Sequence, residues 1–162
     1  MQPRQVKSVR DARAIVAERK LKHVKVGVFD VDGVLRGKYL STKKFLSALE
    51  KGFGFCDVVL GWDLHDTLYD RGTISGWHTG YRDATVRLDL STLRRVPWLP
   101  GTAMVICDVV DHHGKEVPHS PRQILKKQLA RLKQQKRGLH VGLEVEWYLL
   151  RVPDDRLQPD NI

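Results

Sequence analysis

Two periods of apolar and polar residues run along this chain. Over residues 8–20 the apolar side chains Ala12, Ile15 and Val16 share one helical face, behind a Ser8 that suits an N-cap. Residues 24–31 form an apolar, strand-like run. Asp32-Gly33 bends the chain, and Val34-Leu35 with Tyr39-Leu40 suits a return strand. A short helix opens at Ser41 or Thr42, buries Phe45, Leu46 and Leu49, and stops at Gly52. Residues 55–60 read as a strand, the Asp-, His- and Gly-dense stretch after them as a loop, and residues 70–82 as loop with a short strand. Val86, Leu88 and Leu90 alternate with polar residues, as in a half-buried strand. Residues 101–111 predict a more buried strand, followed by a turn at His112-His113-Gly114-Lys115. Ser120-Pro121-Arg122-Gln123 has the form of a capping box with proline at the first helical position. The helix it opens carries Ile124, Leu125, Leu129 and Leu132 on one face and ends near Gly138, and residues 139–150 predict a strand.

Composition narrows the function classes. An apolar fraction of 41% over 162 residues supports a core and excludes a disordered polymer. No apolar run approaches the ~18 residues of a membrane span, and the basic, polar N-terminus is unlike a secretion signal. Two cysteines, Cys56 and Cys107, are too few for a disulfide framework and read as buried free thiols of a cytoplasmic protein. The net charge of +9 invites a nucleic-acid partner. Its distribution argues against one: residues 1–25 carry eight Lys/Arg against two acids, residues 120–137 seven against none, and the remainder is net −4. Both stretches read as helices with solvated basic faces.

Two acidic patterns could carry chemistry. Asp30-Val31-Asp32-Gly33 after an apolar strand matches the first motif of haloacid-dehalogenase-like phosphatases, where the first Asp attacks phosphorus and the second is general acid and base. That chemistry needs a later acidic pair, for which only Asp108 and Asp111 offer themselves, and a strand–helix alternation that this chain does not show. The competing reading is a hairpin corner, with Arg36-Gly37-Lys38 as exposed polar surface. Further on, Glu144 and Glu146 lie two apart on the last predicted strand and so point to one face. They either share a hard divalent cation such as Mg2+ or Mn2+, or form the solvent face of a strand whose inner face is Leu143, Val145 and Trp147.

Five stretches in order resemble the N-terminal half of glutamine-synthetase-like ligases, closest to the branch that joins glutamate to amines other than ammonia. They are "VFDVDGVLRGKYL", "KFLSALEKGFGFCDVVLGWDLHD", "GTISGWHTGYRDATVRLDLSTLRRVPW", "GTAMVICDVVDHHGKEVPHSPRQILKKQL" and "GLEVEWYLL". The resemblance implies an α+β fold. Residues 1–23 would be a basic N-terminal helix, residues 24–119 a β-grasp domain, and residues 120–162 the first helix and strand of a larger antiparallel catalytic sheet. It implies ATP-dependent synthesis of a γ-glutamyl amide through γ-glutamyl phosphate, from glutamate and ammonia or an amine. Homo-oligomers would form the active sites between subunits.

By the same resemblance, Glu144 and Glu146 would contribute to the metal sites. Asp63 would be the catalytic carboxylate that binds the amine and favours its deprotonation, on a loop reaching a neighbouring subunit. The family's loop reads Asp-Gly-Ser-Ser; here it reads Asp63-Leu64-His65-Asp66, and the extra carboxylate of Asp66 suits a cationic amine substrate. Asp30, Asp32, Arg36 and Lys38 would be structural. The chain would stop early in the second domain, and 162 residues alone would be inactive. Against the ligase stand the phosphatase using Asp30 and Asp32, and a non-catalytic interaction domain of the same fold.

Overall fold

The computed structural model describes residues 5–69 and 71–149. The expectations for residues 1–4 and 150–162 lie outside them. Helix α1 (Val9–Glu18) opens at Ser8, whose hydroxyl accepts the Asp11 N–H while the Asp11 carboxylate accepts the Ser8 N–H, a reciprocal cap. Its Ala12, Ile15 and Val16 are buried, as their spacing predicts. Strands β1 (His23–Phe29) and β2 (Leu35–Ser41) form an antiparallel hairpin, with Gly33 at φ 80° in the corner. Helix α2 (Thr42–Lys51) follows directly, capped by Ser41 and stopped by Gly52 at φ 65°. Strand β3 (Phe53–Cys56), β4 (Asp83–Leu88), the two-residue β5 (Arg94–Arg95) and β6 (Thr102–Val110) come next, and helix α3 (Pro121–Gln134) closes the series.

These strands make one mixed, curled sheet in the order β2-β1-β6-β4-β3, with β5 also on β6. The two chain-distant strands β1 and β6 run parallel at its centre, and every other pairing is antiparallel. Alternate residues of β1 (Val24, Val26, Val28) and β6 (Val105, Cys107, Val109) face one side. Phe45 and Ala48 of α2 join them there, with Ile15 and Val16 of α1 beyond. The α+β class and the central hairpin–helix unit follow the expectation. Cys107 is buried and Cys56 half-buried, both as free thiols, and burial pushes the Cys107 thiol up to about 12. No helix of the described residues is long and apolar enough to cross a membrane.

Four expectations need correction. The apolar run 55–60 is a strand only to Cys56; Asp57–Leu60 is a 3-10 turn that buries Val59 and Leu60. A short apolar run satisfies a buried turn as well as a buried strand. The Ser120 hydroxyl makes no cap bond, and Gln123 Nε2 instead donates to the buried Val109 carbonyl at 2.6 Å, tying α3 to β6. The strand read through Val86, Leu88 and Leu90 ends at Leu88, and Leu90 opens a 3-10 turn, Leu90–Thr92. Finally, residues 138–149 form no strand: they pair with nothing among the described residues, and alternation cannot make a ladder without a partner. The expected Leu150 end of that strand lies outside the described residues.

Candidate functional site

The hairpin corner at residues 30–34 is built on one carboxylate. Asp30 is 0% exposed. Its Oδ1 accepts the N–H groups of Asp32 (3.0 Å) and Val34 (2.8 Å), and its Oδ2 accepts Arg36 Nε at 2.7 Å. A buried charge persists only when paired and hydrogen-bonded, and here both oxygens are taken. The phosphatase reading needs Asp30 open to a phosphate group, and this geometry contradicts it. The corner is the hairpin. Arg36 is not the exposed polar surface that the hairpin reading assigned it: it sits inside β2, opposite Val28, with its side chain 18% exposed.

Arg36 joins that corner to a second loop, residues 61–69. Its Nη2 donates to the Asp63 carbonyl at 2.9 Å, its Nη1 donates to Asp66 Oδ1, and its guanidinium lies 5.2 Å from the centre of the Trp62 ring. The Asp30 bond is the foremost reason its pKa is raised. The loop closes on itself. Trp62 bridges Leu68, Asp63 N–H donates to the Thr67 carbonyl, and Asp66 stands at φ 65°. Asp63 Oδ1 accepts the N–H groups of His65 (2.8 Å) and Thr67 (2.9 Å), leaving Oδ2 outside these two bonds. The Thr67 N–H above all holds the Asp63 carboxyl below the usual carboxylate range, against partial desolvation. The carboxylate is therefore ionised at neutral pH. The Trp62 indole N–H is buried with no acceptor among the described residues.

Thus Asp63 and Asp66, predicted together, are together: the Asp66 N–H donates to the Asp63 carbonyl at 3.1 Å, and Arg36 grips both residues. One oxygen of Asp66 is committed to that guanidinium. Glu144 and Glu146 are brought to neither loop by any described contact. Both are exposed, on the segment that pairs with no strand. No group of three potential metal ligands exists among the described residues, so these two glutamates could supply at most part of a ligand set. Sequence reasoning missed Arg36 as the link between loops. The only signal was an acid and an arginine six apart, Asp30 and Arg36, across a hairpin corner.

A second ionic cluster fastens α3 to the sheet. Arg122 reaches Asp89 Oδ2 (2.6 Å) and Asp108, and Lys126 reaches Asp108 Oδ2 (2.5 Å) and Asp89 Oδ2 (3.5 Å). Two cations of the basic run 120–137 are thereby spent internally.

No family model matches the chain. Individual proteins do. The chain is 42% identical to type-1 glutamine synthetase 2 of Dictyostelium discoideum over 125 residues, 77% of this chain and 24% of that protein. It is 34% identical to a glutamate–isopropylamine ligase of a Pseudomonas species over 145 residues, 89% of this chain and 32% of that one. The solved structure of a GmaS/ADP complex superposes with a TM-score of 0.59 at 23% identity, over 75% of this chain and 25% of that chain, a likeness of fold. The chain thus spans about a quarter to a third of the length of these relatives.

Proposed function

The chain belongs to the family of glutamine synthetases and γ-glutamyl-amine ligases, and from that premise we propose that it is the front portion of an ATP-dependent glutamate–amine ligase. The observation that carries this is sequence identity of 34–42% over most of the chain to enzymes of this kind. Relatives named for isopropylamine, ethanolamide and methylamine products or substrates favour an organic amine over ammonia as acceptor.

Residues 24–119 are then the β-grasp domain. The parallel β1–β6 centre, flanked by antiparallel strands with α2 against one face, supports this. Residues 120–162 begin the catalytic domain. The alternating and exposed Leu139, Val141, Leu143, Val145 and Trp147 support that reading, because in a strand of a larger sheet they would share one apolar face. Glutamate's side-chain carboxylate attacks the γ-phosphorus of ATP, releasing ADP and giving γ-glutamyl phosphate. The amine nitrogen then attacks that acyl carbon and phosphate leaves. Asp63 attracts the ammonium form and takes its proton, so that the nitrogen lone pair is free to attack. Asp66 adds negative charge beside the amine path, with Arg36 offsetting part of it. Glu144 and Glu146 would supply two carboxylates to a Mg2+ or Mn2+ ion, whose chemistry is to neutralise phosphate charge. The Asp63 loop reaches its site across a subunit boundary in a homo-oligomer. The 162 residues alone do not turn over.

The test is product formation by the intact gene product. Supplied with ATP, magnesium, glutamate and isopropylamine, it should release ADP and yield γ-glutamyl-isopropylamide by mass spectrometry. A folded protein that makes no glutamyl amide from any of a panel of monoamines or ammonia contradicts the proposal and returns the chain to an interaction role.

A further inference from the structure

We propose that Arg36, anchored on Asp30, is the positioning residue that aims Asp63; this rests on the reading of Asp63 given above. Arg36 touches no reacting atom. It grips the Asp63 carbonyl directly and the Asp66 carboxylate beside it, while its own Nε is fixed by a wholly buried acid. The Asp63 side chain cannot swing independently of that backbone, because Oδ1 is tied to the His65 and Thr67 N–H groups of the same turn. Whatever moves the turn moves Oδ2 with it. Among the described residues, the bonds of residues 63–67 other than those to Arg36 run within the loop itself, so there the guanidinium is the polar link between this turn and the β1–β2 hairpin. The link needs a fork: three N–H directions serve three acceptors, and the flat face lies near Trp62. A lysine ammonium on a flexible stem cannot reproduce that set. The buried Asp30 of the double-aspartate motif thus gains a purpose, as the fixed end of a strut running from the hairpin to the loop.

The experiment compares Arg36→Gln, Arg36→Lys and Asp63→Asn in the intact gene product. Two quantities are read: amine saturation kinetics, and amide hydrogen exchange of residues 61–69. For Arg36→Gln the expected result is an amine KM raised between about ten- and a hundredfold, as for a misplaced catalytic group, with the KM for glutamate and ATP unchanged. Arg36→Lys should fail to rescue it. Exchange at His65 and Thr67 should quicken, while β1 and β6 amides stay protected. Should Arg36→Gln fail to fold because Asp30 is left unpaired, the double variant Asp30→Asn/Arg36→Gln, which leaves no buried charge, carries the same test. An unaltered amine KM alongside an Asp63→Asn variant that has lost amine dependence overturns the proposal, and so does restoration by lysine. If the wild type shows no amine-dependent turnover, the functional reading fails separately. Exchange in the loop then decides the anchoring, and an unchanged rate overturns it.

Discussion

Asp89 receives Ser91 N–H and hydroxyl on one oxygen and Arg122 on the other. Burial alone would raise its pKa, but these bonds and the nearby cations outweigh it and hold the carboxyl at about 2. The folded-state value lies below the ~3.9 of an unfolded aspartate, so its stabilising effect is complete above that pH and is lost as pH falls toward 2. The melting temperature of the wild type should therefore drop more steeply between about pH 4 and pH 2 than that of Asp89→Asn. Parallel curves for the two proteins would show that Asp89 is not held as described. This pairing was not legible in the sequence. Asp89, Asp108 and Arg122 are far apart in the chain and meet only because α3 crosses the β4–β6 pair. Asp30 and Arg36 are only six apart, and the hairpin reading that made them structural holds; what a string of residues does not say is that the carboxylate is enclosed and the arginine folded onto it.

At the scale of elements, local signals succeeded where one face is buried and failed where a partner decides. The Ser41 cap, the Gly52 stop and the apolar runs of β1 and β6 were readable because each is satisfied within a few residues or by one core. Two of the predicted N-caps diverge. Ser8 has its reciprocal bond with Asp11, whereas Ser120 has none, since Gln123 is drawn to Val109. Ser8→Ala should thus cost about 1 kcal/mol in urea denaturation, and Ser120→Ala less than about 0.5 kcal/mol. The reverse order would mean that the α3 cap forms after all. The loop of residues 61–69 reads as irregular in sequence. Its order comes from Asp63 turning back on its own backbone and from an arginine on another element.

Across the whole molecule, the side of the chain that the sheet does not cover is telling. Ile124, Leu125 and Leu129 are exposed on α3, and Leu139, Val141, Leu143, Val145 and Trp147 are exposed beyond it. So many exposed large apolar side chains on two neighbouring stretches of sequence suit a surface that a partner covers. The isolated 162-residue chain should bind an apolar fluorophore such as ANS, and the triple variant Leu143→Ser/Val145→Ser/Trp147→Ser should lose most of that signal with the sheet intact by circular dichroism. Equal fluorescence from the two would place the binding surface elsewhere. Family membership was legible because five stretches keep their order, whereas Glu144 and Glu146 were legible only as a pair, since a metal site needs ligands that a single segment cannot supply.

In the proposed reaction Asp63 acts on the amine and not on the phosphoryl transfer. The most direct measurement is glutamate-dependent cleavage of ATP by the intact gene product, with and without amine, for the wild type and Asp63→Asn. The prediction is that both proteins cleave ATP at the same slow rate without amine, and that only the wild type accelerates when amine is added, the variant losing about a hundredfold of that stimulation. Equal stimulation in the two proteins, or no glutamate-dependent cleavage in either, contradicts it.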